Sequence, residues 1–356
     1  MKRLRAFAAS HNFSQPLPLA GALERLGFVQ ADPIRSPARA QDLILRQRVP
    51  GYRAGQLEAA YPELDCEEDF LYAYGFLPRA TWRLVHPRKP GALKAIERRA
   101  FDAVMDLGVA HPSDVAARLG RRAAVNGWGG RSTASTRALH RLHACGLIRV
   151  AHRDNGTRVY AAPRTREHDE EPISPPERLR RIVTLVARIF APVPEPSLRQ
   201  ILNHLTYCHV PPSKTRPVLA AMLKSGEMVR ENVQGVDYVW PAGLNADAAL
   251  DDASPRVRIL APFDPLVWDR RRFEHLWGWT YRFEAYTPAP KRKLGYYAMP
   301  MLWGDHVVGW ANAALVDDGR LAVEAGFAVE APRGRDFRRA LDEEIESLTA
   351  SLGARR

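Results

Sequence analysis

Between Glu97 and Tyr160 the chain carries one order of elements, and few folds can accommodate it. Ala100, Phe101, Val104 and Met105 fall at helical spacing within Glu97–Leu107. His111-Pro112-Ser113-Asp114 then opens a short helix, Val115–Leu119, with Ser113 as its expected cap. A glycine-rich basic loop from Arg121 to Arg131 leads to Ser132, which is positioned to cap a second helix, Thr133–Cys145, stopped by Gly146. An apolar run, Leu147–Val150, turns at Asp154-Asn155-Gly156 and returns as Arg158–Tyr160, where Asn-Gly marks a two-residue hairpin. Helix, short helix, recognition helix and hairpin together predict a winged helix-turn-helix.

The same plan recurs on both sides. Upstream, Leu17–Leu26 reads as a helix and Phe28–Gln30 as a short strand. Ser36–Arg48 and Ala54–Tyr61 follow as helices, and Phe70–Leu77 as an apolar segment. Downstream, Leu179–Phe190, Ser197–Leu205 and Ser213–Gly226 read as helices, and Met228–Val239 as a hairpin turning at Gln234-Gly235. A period of roughly 80 residues implies three tandem units. The acidic, proline-rich Glu167–Pro176 separates the second from the third, and composition shifts again at Asn245–Pro255. Beyond that point Val257–Pro262, Tyr281–Tyr286, Gly295–Leu302, His306–Val316 and Arg320–Phe327 read as strands, with a turn at Asp317-Asp318-Gly319 and a final helix over Arg335–Leu352. The expected fold is α+β. Winged-helix units occupy 1–90, 91–166 and 167–245, and a mainly antiparallel, barrel-like β domain with a terminal helix occupies 246–356.

Charge narrows the partner. Lys and Arg number 52 against 40 Asp and Glu, a net +12, and only seven of the 52 are Lys, leaving 45 Arg. A GC-rich genome accounts for Arg over Lys but leaves the surplus over acids unexplained. Such a surplus suits a polyanion, because each phosphate neutralised releases condensed counterions. Cys66, Cys145 and Cys208 form no C-x-x-C pair, and His140/His143 and His204/His209 lack matching Cys or carboxylate neighbours, so neither a metal site nor a cofactor is expected. No apolar run approaches a membrane span, and the basic start Met1–Arg5 precedes an apolar core too short for a signal peptide; a cytoplasmic, nucleoid-associated protein is expected.

The chemistry-bearing candidates are Gln30 and Asp32, two apart on extended backbone and so directed to one side. On spacing alone Asp32 before Pro33 also reads as a turn or cap residue, and Gln30 as a surface amide. Gln30-Ala31-Asp32-Pro33 followed by a basic helix resembles the catalytic Gln-x-Asp of the YcaQ/AlkZ-like winged-helix DNA glycosylases. Longer stretches carry the resemblance further: Gly127–Ser132 at the turn before the recognition helix, Ala261–Arg272, and Tyr286–Pro300. Tyr72–Pro78 departs from the pattern, lacking the histidine of a Trp-x-His-like stretch.

The resemblance implies an enzyme of base-excision repair that removes N7-alkylated purines and unhooks interstrand crosslinks from double-stranded DNA. It also implies a concave basic surface open enough for a base still tied to the other strand. Asp32 would stabilise the cationic sugar and take the proton of a water aimed by Gln30. No lysine lies between Lys2 and Lys89 to form a Schiff base, which points to hydrolysis without lyase activity. Expected DNA contacts are Arg35 and Arg39 beside the turn, Trp128, Arg131, Ser132, Arg137 and Arg141 around the recognition helix, Arg158 on the wing, and Lys291, Arg292, Lys293, Tyr296 and Tyr297 in the last domain. The rival reading is a non-catalytic winged-helix regulator. A protein-binding adaptor is disfavoured by the charge. Three DNA-binding units in one chain make a monomer sufficient.

Overall fold

The computed structural model describes residues 1–86, 91–120, 123–125, 131–164, 173–205, 212–248, 255–328 and 330–355. Helices and antiparallel sheets are mixed throughout, as expected for an α+β chain. The chain starts with a helix the sequence reading did not anticipate, α1 (Lys2–Phe13), which buries Leu4, Phe7, Ala8 and Phe13.

One order of elements then appears three times. The first set is α2 (Leu19–Leu26), β1 (Val29–Gln30), α3 (Ala40–Leu45), α4 (Gln56–Ala60) and the hairpin β2 (Cys66–Phe70)/β3 (Tyr74–Pro78), followed by α5 (Arg79–Val85). The second is α6 (Ala95–Leu107), β4 (Val109–Ala110), α7 (Pro112–Leu119), the small pair β5 (Ala123–Val125)/β6 (Arg131–Thr133), α8 (Ala134–Ala144) and the hairpin β7 (Arg149–Asp154)/β8 (Thr157–Ala161). The third is α9 (Pro175–Ile189), β9 (Val193–Pro194), α10 (Glu195–Asn203), α11 (Pro212–Lys224) and the hairpin β10 (Met228–Val233)/β11 (Val236–Pro241). In each, the short strand pairs with the second strand of the hairpin, giving the orders β1-β3-β2, β4-β8-β7 and β9-β11-β10.

Local chemistry explains the boundaries. Both central residues of two hairpin turns are left-handed, Asn155/Gly156 and Gln234/Gly235, the geometry that matches strand twist. The caps fall one or two residues from their expected places. Thr133, rather than Ser132, accepts the N–H of Thr136, and the His111 ring, rather than Ser113, accepts the N–H of Ser113. Helix α3 is much shorter than Ser36–Arg48, because the chain up to Arg39 is still extended when the helix begins.

The last third departs from expectation in two ways. The sheet β12 (Val257–Ile259), β13 (Met299–Trp303), β14 (His306–Leu315), β15 (Leu321–Phe327) is an open four-stranded meander in that order, with no closure between β12 and β15, so it is not barrel-like. The helix α14 (Arg335–Leu352) covers it, packing against β12 and burying Phe337, Ala340 and Leu348. Between β12 and β13 run α12 (Pro265–Trp268), α13 (Arg270–Trp277) and a segment without strands, where a strand over Tyr281–Tyr286 was expected. Three contacts hold that segment as a loop closed on itself. The Tyr281 hydroxyl donates to Ala298 O at 2.6 Å, the Phe283 ring packs on Phe263 and Tyr297, and the buried Glu284 carboxylate accepts the backbone N–H groups of Lys293 and Leu294.

No repeat buries its apolar face alone. One core joins the first and second sets to the C-terminal sheet, and a second joins Phe28, Leu71 and Leu77 of the first set to α9, α10 and α11. A third joins α1, the hairpin β10/β11 and the α12–α13 corner. Polar ties reinforce this. Glu67, Glu68 and Asp69, consecutive on β2, are all buried, and Arg79, Arg153 and His86 respectively pair with them. The end of β1 thus lies among the first set, the third set and the α12 corner.

Candidate active site

Gln30 closes β1 opposite Gly75 of β3, and the Ala31 N–H donates to Tyr74 O at 2.9 Å. A Cβ at Gly75 would lie 2.2 Å from Val29 O and 2.7 Å from the Phe28 ring, so only glycine permits this pairing. The chain then leaves the sheet, and Asp32 Oδ1 accepts the Ile34 N–H at 2.9 Å, an Asx turn that starts the approach to α3. The turn reading of Asp32 thus holds, and its carboxylate is half-buried two residues from Gln30.

Burial raises the Asp32 pKa above the ordinary aspartate value, and the Ile34 N–H only partly offsets this. No cation among the described residues forms an ion pair with it. Its negative charge reaches two tyrosines of the loop that follows α13. The Tyr297 hydroxyl is pushed well up by its own burial and then by Asp32, and that of Tyr286 is raised for the same two reasons. Tyr286 nevertheless leaves 81% of its surface exposed, more than any other large hydrophobic side chain among the described residues. The loop is well fixed. Glu284 anchors Lys293 and Leu294, Asn312 donates to Leu294 O at 2.7 Å, and Gly295 at φ 119° sits where a Cβ would strike Asn312.

The Gln30 amide is held from the α12 corner. Trp268 Nε1–H donates to Gln30 Oε1 at 2.9 Å, while its ring packs on Tyr72 and Phe190. Along the segment after Asp32 runs an open cleft of about 500 Å³, lined by Arg35, Pro37, Arg39, Asp42, Glu58 and Leu315 among others.

The other expected contacts are distributed unevenly. Arg35 is exposed on the cleft, whereas Arg39 is ion-paired with Glu58 and lies against the β7–β8 turn at Gly156. Arg137 and Arg141 are exposed on α8. Arg131 and Ser132 belong to β6, and Trp128 lies outside the described residues. Arg158 is 3.7 Å from the buried Glu68 carboxylate and stacks 3.9 Å from the Tyr74 ring centroid, so it holds two hairpins together. Lys291, Lys293 and Tyr296 are exposed, Arg292 lies over the Tyr296 ring at 4.9 Å, and Tyr297 is buried. The fold therefore brings Gln30, Asp32 and the 286–297 loop together. Trp268, Tyr72 and Tyr286 were missed as site residues, although Trp268 and Tyr286 stand inside the two C-terminal stretches that carried the resemblance.

Among the described residues no group of three or more His, Cys, Asp or Glu could hold a metal ion, and no helix is long and apolar enough to cross a membrane. A model of the AlkZ-like family, described as DNA glycosylase AlkZ-like, matches residues 23–351. That span takes in Gln30, Asp32, the three repeated sets except the first turn of α2, and nearly all of the C-terminal part, and it favours a glycosylase over a regulator without catalysis. This chain belongs to the AlkZ-like DNA glycosylase family, and DNA is its substrate.

Proposed function

We propose that the protein hydrolyses the N-glycosidic bond of N7-alkylated purines in duplex DNA, including purines tied in interstrand crosslinks. The single observation that carries this reading is the Asp32 carboxylate, half-buried and without a cation partner among the described residues, set beside Gln30 near an open cleft. An N7-alkylguanine is already cationic and leaves as a neutral base, so no general acid is needed. The site must instead stabilise positive charge on the sugar and direct one water. As the C1′–N9 bond breaks, its electron pair neutralises the base. Water oxygen bonds to C1′, and Asp32 takes the water's proton before passing it to solvent. A cation beside Asp32 would weaken both of its roles, and a raised pKa makes it a better proton acceptor.

In this reading the three sets are winged-helix units over 1–90, 91–166 and 167–245, with the C-terminal domain over 246–356. Each set has the helix, helix and hairpin order, with its short strand on the hairpin, that a winged helix requires. Arg35, Arg137, Arg141, Lys291, Lys293 and Tyr296 present exposed side chains to DNA, and the protein works as a monomer among nucleoid DNA. Hydrolysis leaves an intact abasic site. The folded loop beside Asp32 carries Lys291 and Lys293, so borohydride trapping is the relevant test: a covalent adduct with DNA would exclude simple hydrolysis.

The principal experiment measures base release from a duplex with one N7-methylguanine and from one with a crosslink. Wild type is expected to release both, and Asp32→Asn neither. Full activity in Asp32→Asn would refute the assignment, and activity on the monoadduct alone would restrict the substrate class.

A further inference from the structure

Resting on that reading, we infer that Trp268 is a positioning residue that fixes the Gln30 amide so that its NH₂ group, and not its oxygen, faces the reacting water. Indole Nε1 is a donor with no acceptor capacity, so the Gln30 atom 2.9 Å away must be the carbonyl oxygen. The amide cannot turn over without setting N–H against N–H. Its two Nε2 donors are therefore committed to the opposite side.

Trp268 can impose this because its own place is fixed from several directions. It ends α12, whose N-cap is Asp264, fully buried and accepting the Leu266 N–H at 3.0 Å. Arg48 grips the Asp264 carboxylate with both Nη atoms, at 2.8 and 3.1 Å. Arg272, equally buried, donates to Pro265 O, Leu266 O at 2.8 Å, and Phe190 O of the third set. The ring itself packs against Tyr72, 5.0 Å away, and Phe190, 5.3 Å away, which also touch each other. Gln30 and Trp268 are 238 residues apart in the chain, so this hydrogen bond exists only when the first set and the C-terminal part have assembled.

The consequence is a division of labour. A Gln30 N–H donates into one lone pair of the water, and Asp32 accepts a water hydrogen. That leaves the second lone pair directed at C1′. Gln30 takes no proton, so a carboxylate in its place offers an acceptor where a donor is needed.

The test is single-turnover release of N7-methylguanine from duplex DNA, with DNA affinity measured separately. Trp268→Phe keeps the ring packing and removes the donor. It is expected to slow release about tenfold, one hydrogen bond's worth of orientation, at unchanged affinity. Gln30→Glu is expected to lose as much as Gln30→Ala, and Trp268→Phe combined with Gln30→Ala to be no slower than Gln30→Ala alone. A Trp268→Phe rate within twofold of wild type, losses that multiply in the double variant, or an active Gln30→Glu would each overturn the inference. Should Trp268→Phe fail to fold, Gln30→Glu decides alone. If wild type releases no base, the proposed function itself falls. If Asp32→Asn abolishes release while Trp268→Phe does not slow it, only the positioning role falls.

Discussion

Replacing Asp264 by Asn removes one charge from the centre of the molecule and turns one of the two acceptors facing Arg48 into a donor. The asparagine oxygen still caps α12 by accepting the Leu266 N–H, so helix initiation is preserved. What changes is Arg48, whose side chain is 5% exposed and whose ionic partner is 0% exposed. A buried charge stripped of its partner generally costs about 3–5 kcal/mol. Arg48 keeps Ile44 O at 2.8 Å, Asn12 Oδ1 at 3.2 Å and the Phe13 ring at 4.7 Å, which argues for the lower end, about 3 kcal/mol. With unfolding entropy of about 2.1 cal/mol/K per residue over 356 residues, this corresponds to a fall of roughly 4 °C in Tm. Thermal melting followed by circular dichroism gives the number. Arg48→Met should cost a similar amount, and the two together clearly less than the sum, since no unpaired charge then remains. Because Asp264 also holds the helix that presents Trp268, base release should slow in Asp264→Asn even at temperatures where it is fully folded. A loss under about 1 kcal/mol, or strictly additive losses, would refute the argument that this pair locks the corner.

Four further outcomes follow from the site and its surroundings. The folded Asp32 holds its proton more tightly than an unfolded aspartate does, so its ionisation costs stability as pH rises through the raised pKa; Asp32→Asn should melt slightly above wild type at pH 7 while releasing no base, and a lower Tm would contradict the assigned shift. For the same reason the acid limb of the wild-type rate should fall off at a higher pH than an ordinary aspartate dictates, which a pH profile of single-turnover rates measures. Gly75→Ala forces Val29 O and Phe28 away from their places and should cost about 3 kcal/mol together with most of the activity, read by melting and base release; a fully stable, active variant would show that β1 and β3 can separate there without consequence. Arg137→Ala and Arg141→Ala should each flatten the salt dependence of duplex binding by about one ion at unchanged Tm, whereas Arg158→Ala should lower Tm because it leaves the buried Glu68 with Arg153 alone and strips the cation from the Tyr74 ring.

The three repeated sets were legible in the sequence because their signals are local. Amphipathic spacing, a cap and an Asn-Gly turn each lie within a few residues of the element they define, and the helices and hairpin of the second set match their expected places closely, whereas its short strands β4, β5 and β6 were not foreseen. Elements set by distant contacts were not legible. Helix α1 has no strong periodic signal of its own and is fixed by packing on α12 and α13, at the other end of the chain. The aromatic alternation of Tyr281–Tyr286 reads as a strand, but Tyr281 and Phe283 pack among rings distant in sequence, Tyr286 stays exposed, and Glu284 folds the backbone back on itself. The site shows the same division. Gln30 and Asp32 stand out as a tripeptide, yet the groups that give them their character belong to residues 264–297. Linear reasoning also placed Arg158 among the DNA contacts, since nothing nearby in sequence indicates that its partner is a buried acid on another hairpin.

This separation in sequence bears on how the enzyme is built. A winged helix can bind DNA as an independent unit, and three in a row would need no shared core for that purpose. Here every core is shared, and Gln30 and Asp32 lie where the first set, the third set and the α12 corner meet. Phe28, one strand residue before the Val29–Gln30 pairing, packs on Tyr72, which packs on Phe190 and Trp268, so three chain segments close around the base of the site. A carboxylate that must stay ionised without a cation, and an amide that must not rotate, both require surroundings that do not relax. Fusing the repeats into one packed body supplies that rigidity, while Asp32 stays half-buried and the segment after it lines an open cleft. The proposed action on a base joined to both strands would need this combination, because such an enzyme cannot obtain rigidity by closing a tight pocket around a freely flipped base.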